Sequence, residues 1–82
     1  MKTIQIAPYK RDCKIDGHKV LGTMGSRTFC FEIPEQYEIP EEIHDSIITN
    51  FCQAIALSSK CWQVERLLND TFQIEGGKFY EI

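Results

Sequence analysis

The stretch Asp16–Ser26, DGHKVLGTMGS, carries three glycines in nine residues, and no other segment limits the possible folds as strongly. A phosphate-binding P-loop requires G-x-x-x-x-G-K-[ST], in which the lysine reaches the phosphates and the hydroxyl holds magnesium. Gly17 and Gly22 have that spacing, but Thr23 and Met24 follow, so the lysine is missing. The dinucleotide fingerprint G-x-G-x-x-G lacks its first close pair. Either loop would open a helix, whereas Arg27–Ile33, RTFCFEI, alternates with the period of a strand.

The glycines instead read as corners of a sheet. Asp16-Gly17, between Ile15 and His18, is a type I′ hairpin signal, and Gly25-Ser26 suits type II′ with glycine at the first central position. The first turn pairs Ile15 with His18 and Cys13 with Val20. The second pairs Met24 with Arg27, Gly22 with Phe29, Val20 with Phe31 and His18 with Ile33. Followed across three strands, the pleat puts Cys13, Ile15, His18, Val20, Gly22, Phe29, Phe31 and Ile33 on one face. Asp12, Lys14, Lys19, Leu21, Thr23, Thr28, Cys30 and Glu32 fall on the other. Two independently placed turns thus agree on one apolar face. Gly22, opposite Phe29, leaves room for a ring. Met1–Ala7, ended by Pro8, is expected to add a strand.

IPEEIHDSIITNFCQAIALSS, residues 39–59, is the strong helix. Pro40 fits the first helical position, and Glu41, Glu42 and Asp45 suit the positive end of the dipole. At 100° per residue, Ile43, Ile47, Ile48, Phe51, Ala54 and Ile55 share one arc, with Glu42, Asp45, Ser46, Thr49, Asn50 and Gln53 opposite. Ser58-Ser59 ends the helix. His44, inside the apolar arc, reads as a neutral boundary histidine, because a cation near a helix N-terminus is unfavourable. CWQVERL, with Trp62, Val64 and Leu68 in phase, serves as a strand or a short second helix. TFQIEGGKFYEI turns at Gly76-Gly77-Lys78 and pairs Ile74 with Tyr80 and Phe72 with Ile82, building the chain's end into the sheet. The expected architecture is α+β over a single domain, 1–82: a small curved, mostly antiparallel sheet against one main helix, in the order strands, helix, strands.

An 82-residue chain has room for one core, and with 43% hydrophobic residues that core needs no metal. Cys13, Cys30, Cys52 and Cys61 form no C-x-x-C pair, and there is no H-x-x-x-H, so structural zinc is not expected. With no secretory signal or membrane-spanning stretch legible, reduced cysteines and a soluble, cytoplasmic protein are expected. His18–Cys13 or His44–Cys52 would be nucleophile–base pairs, but neither has an orienting third group or oxyanion feature. No catalytic residue, cofactor or metal site is therefore assigned.

Charge divides the chain. Residues 1–33 carry six Lys/Arg against three acidic residues, and residues 34–82 carry three against nine, for a net charge of −3. A domain without cofactor motif, paired acids or metal spacing works by contact. The expected function is a protein-binding module, an inhibitor or modulator of a larger protein or nucleoprotein complex. Two surfaces carry candidate contacts: the acidic loop with Glu35, Tyr37, Glu38, Glu41 and Glu42, and the basic edge with Tyr9, Lys10, Arg11 and Lys14. Tyr9 and Tyr37 suit the role of aromatic anchors among polar residues. In architecture alone, the chain resembles small phage-type antagonists of host defence complexes, anti-CRISPR proteins among them. That likeness implies a viral protein acting in a host cytoplasm.

Residues 37–72 resemble a ribbon-helix-helix repressor: a strand, a proline-started helix, a turn and a second helix from Cys61 to Leu68. The resemblance implies direct DNA binding through a strand, Phe29–Ile33 or Gln36–Ile39. Neither strand carries a basic residue for base edges, and net acidity opposes the phosphate attraction behind such binding. This reading ranks second. A self-assembling structural subunit or homodimer, paired through Lys2–Ala7, is the third.

Overall fold

A computed structural model describes residues 5–82. Three strands form a meander, β1 (Cys13–Asp16), β2 (Lys19–Met24) and β3 (Arg27–Glu32), preceded by a 3₁₀ turn at Lys10–Asp12. Two helices follow, α1 (His44–Leu57) and α2 (Cys61–Phe72), and the chain returns as β4 (Lys78–Glu81). The sheet is antiparallel, in the order β1-β2-β3-β4. The α+β class and the antiparallel sheet hold, with two helices and one strand after the meander where one main helix and further strands were expected. Both helices pack against the sheet, α1 on β1 and β2, α2 on β4.

The second turn has the register that its glycine dictates: Met24 faces Arg27, Gly22 faces Phe29 and Val20 faces Phe31. Gly25 alone supplies a positive φ, 63°, the pattern of a II′ turn. The first turn is displaced. Its central residues are Gly17 and His18, so Asp16 pairs with Lys19, Ile15 with Val20 and Cys13 with Gly22. Gly17 takes φ 63° at the first central position, which spares Asp16 the left-handed conformation that a type I′ turn would impose. The correction moves each partner by two residues. Pleat parity is kept, so the expected core face survives intact.

That face packs into one core. Val20, Phe31, Phe51 and Leu68 are wholly enclosed, and Phe29, Ile33, Ile47, Ala54, Ile55, Val64 and Phe79 are buried with them, whereas Cys30 is enclosed on the opposite pleat. Phe79 stacks on Phe29 with centroids 5.8 Å apart and meets Phe51 at 6.0 Å. The space left by Gly22 is filled from the helix rather than from Phe29. A Cβ there would stand 2.7 Å from Phe51 Cε2. On α1 the expected arc is buried at Ile47, Phe51, Ala54 and Ile55, but Ile43 is 42% exposed. Pro40 caps a 3₁₀ turn, Glu41–Ile43, and the α-helix begins at His44.

The C-terminal third departs furthest from expectation. Cys61–Phe72 is a helix: Val64, Leu68 and Phe72 recur at i, i+4 and i+8, whereas Trp62, in phase only for a strand, is exposed. Phe72 therefore cannot pair with Ile82, nor Ile74 with Tyr80. β4 pairs with β3 instead, with Phe31 opposite Phe79 and Cys30 opposite Tyr80. Asn69 makes this return possible. Its amide accepts from Gly77 N–H (2.9 Å) and donates to Gly77 C=O (3.0 Å), as a paired strand would. Glu65 accepts from Phe79 N–H at 2.8 Å. Gly77 is needed for close approach, since a Cβ would lie 2.5 Å from Phe31 Cζ. Of the expected first strand, Met1–Ile4 lie outside the described residues, and Gln5–Ala7 are not in a strand.

Candidate partner-binding surface

The sheet and helices separate at one end of the core. Pro34 C=O accepts from Tyr37 N–H (3.1 Å) and Pro40 C=O from Ile43 N–H (3.1 Å), so residues 34–43 turn twice before α1 starts. The turns swing Ile39 and Ile43 across the end of the core towards Phe72 and Ile74, which leave α2. Gln73, in the left-handed conformation at φ 55°, ends α2 and places Ile74 there. With Ile33 and Ile47 beneath, these side chains line an apolar groove of about 240 Å³, completed by Tyr37 and Glu38.

One carboxylate lines it, and three more lie close to lining residues in the sequence. Glu38 lines the groove, Glu41 and Glu42 directly precede Ile43, and Glu75 directly follows Ile74; all four are exposed. Glu35 is exposed beside Pro34, in an adjoining recess with His18, Lys19 and Lys78. None of the residues lining the groove is basic. Tyr37 is not the exposed anchor expected of it. It is half-buried against the core, and its hydroxyl accepts from Glu75 N–H at 2.9 Å, tying the acidic loop to the end of α2.

The basic edge is divided. Tyr9 is exposed, with the Arg11 guanidinium 4.5 Å above its ring. Lys10 reaches Asp45 in the first turn of α1, Nζ to Oδ1 2.9 Å, so its charge is matched within the chain. Lys14 has the opposite pleat from Cys13 and extends from the sheet face without helices. Of the acidic candidates Glu38 lines the groove, and Glu41 and Glu42 lie in the 3₁₀ turn that carries Ile43 into it.

The imagined Cys–His pairs are not formed. Cys13 Sγ lies 3.5 Å from Cys52 Sγ and 3.4 Å from Tyr9 C=O. Burial, then the Cys52 contact, pushes the Cys13 thiol up to about 12. His18 Nδ1 is buried and has no hydrogen-bond partner among the described residues. Among the described residues no cluster of three or more His, Cys, Asp or Glu is placed to hold a metal ion, and no helix is long and apolar enough to cross a membrane.

The acids were readable from the sequence, but the groove was not. Its local signals are Ile39 and Ile43 four residues apart and Phe72 and Ile74 two apart, and neither pair announces the other. Comparison with protein-family models, curated proteins and solved structures finds no match for the chain.

Proposed function

We propose that this chain is a non-enzymatic protein-binding module, an inhibitor or modulator that docks on a larger protein or nucleoprotein complex through its acidic, grooved end. The observation that carries the reading is an open apolar groove with Glu38 in its lining and exposed Glu41, Glu42 and Glu75 close in sequence to Ile43 and Ile74, which line it. Apolar surface left uncovered among charges is the anatomy of a contact site: the groove supplies the anchor and the rim supplies orientation. The matching surface presents a large apolar side chain flanked by Lys and Arg. Such surfaces otherwise receive nucleic-acid phosphates, so antagonism of a nucleoprotein defence complex, in a host cytoplasm, is the most specific form of this proposal. Complementary charge raises the association rate and loses effect as salt rises.

A peptide of Lys and Arg residues around one Leu serves as probe. Titrated by calorimetry, it is expected to bind more weakly at higher salt and at least tenfold more weakly to the Glu38→Lys/Glu41→Lys/Glu42→Lys variant. Equal affinity for the reversed and natural chains would sink the reading.

One observation favours the ribbon-helix-helix alternative: Cys61–Phe72 is helical, as that fold requires. Against it, β3 is already paired on both edges, with β2 and β4, and Gln36–Ile39 is not a strand. Among the described residues, neither of the two strands expected for that role has a free strand edge to offer a second chain. A gel-shift at low salt separates the two readings. Half of the Lys2–Ala7 segment invoked for a homodimer lies outside the described residues, and sedimentation tests that reading.

A further inference from the structure

We infer that Cys13 and Cys52 are an oxidisable dithiol, which a disulfide-class oxidant converts into a covalent clamp between β1 and α1. Cys13 opens β1 on the core face, and Cys52 lies on α1 in phase with Ile48 and Ile55. Their sulfurs are 3.5 Å apart, although the residues are separated by 39 positions. A disulfide requires sulfurs about 2.05 Å apart, so bonding asks for a shift on the order of 1.5 Å, within reach of side-chain rotation and small backbone adjustment.

The fold leaves space for that contact. Gly22 faces Cys13 across the β1–β2 pair, and a Cβ there would come within 3.0 Å of Cys13 Sγ as well as 2.7 Å of Phe51 Cε2. One missing side chain thus admits the ring of Phe51 and the sulfur of Cys13 together. The other two cysteines are differently placed. Cys30 is wholly buried on the opposite pleat, paired with Leu21 and Tyr80, and Cys61 is exposed at the start of α2.

The reaction balances as thiol–disulfide exchange. One protein thiol loses its proton and attacks a sulfur of oxidised glutathione, releasing one glutathione thiol and leaving a mixed disulfide. The second protein thiol then attacks the protein sulfur of that bond and releases the second glutathione. The protein loses two hydrogens, and one glutathione disulfide is reduced to two thiols. Burial that holds Cys13 as a thiol near neutrality makes the pair persist until an oxidant is supplied. The clamp fastens the edge strand beside the Lys10–Asp45 ion pair to the helix whose first turn borders the acidic groove.

The test uses the folded chain with Cys30→Ser and Cys61→Ser, equilibrated with oxidised glutathione. Mass spectrometry is expected to show loss of two hydrogens, and a non-reducing peptide map a Cys13–Cys52 link. The melting temperature is expected to rise by about 5–10 °C, reversibly on reduction, because the bond closes a long loop. Adding Cys13→Ser or Cys52→Ser should abolish the link and the rise. Two free thiols after equilibration, or glutathione retained on either cysteine as the stable product, would overturn the inference. In the natural chain, preferential pairing through Cys61 would do the same.

Discussion

One stripe of α1 meets two different environments. Ile43, Ile47, Phe51 and Ile55 recur every four residues on the same side of the helical segment. At Phe51 the stripe lies over the centre of the sheet, where Gly22 lets the ring approach so closely that a Cβ would collide with it. Two turns earlier, at Ile43, it is exposed and lines a groove that Glu38 completes. Similar apolar residues therefore do different work. In the middle they hold the layers together, and at the end they are open to a partner.

The sharpest way to break this contrast is to truncate the covered end. Phe51→Ala removes a wholly enclosed ring that nothing nearby can replace, at an expected cost of about 3–5 kcal/mol in denaturant-derived stability. A loss under about 1 kcal/mol would mean that the Gly22 contact is loosely packed. Asn69→Ala comes next. It strips both partners from the Gly77 backbone and is expected to cost about 1–3 kcal/mol, with faster amide exchange along β4. Ile43→Ser, at the uncovered end, should change stability by no more than about 0.5 kcal/mol while weakening binding of the basic probe peptide severalfold. A large loss of stability there would place Ile43 with the core and remove the distinction.

The smallest expected effect is electrostatic. Arg27 holds the Glu81 carboxylate through two 2.9 Å hydrogen bonds, chiefly these lowering its pKa from the ordinary 4.5. The folded state therefore binds that proton less readily than the unfolded chain. Its contribution is fully present above pH 4.5 and fades as pH falls through the lowered value. Because the pair lies at the surface within reach of solvent, Glu81→Gln should alter the acid limb of the stability profile only slightly and leave neutral pH almost unchanged.

The meander was legible because glycine geometry and strand parity act locally. Gly25-Ser26 allowed one good turn, whereas Gly17 could serve with Asp16 before it or His18 after it. That ambiguity moved the register by two residues and so left the core face unchanged. The C-terminal third was less legible because its signals were equivocal. Trp62 and Val64 suggest a strand, Val64 and Leu68 suggest a helix, and Gly76-Gly77 looks like a hairpin turn. The decision lies in Asn69 binding Gly77 and in the Phe31 ring against it, contacts that local pattern does not encode. At the binding surface, charge could be counted along the chain. The groove required Ile39 and Ile43 to meet Phe72 and Ile74, and so depended on tertiary structure.

Amide chemical-shift mapping with the Lys/Arg–Leu probe peptide tests the central claim most directly. Shifts are expected at residues 37–43 and 72–75 and at Ile33 and Ile47 beneath them, weakening with salt and absent from the Glu38/Glu41/Glu42 reversal. Shifts centred instead on Tyr9–Lys14 or the helix-free face of the sheet, or shifts that survive the reversal, would contradict it.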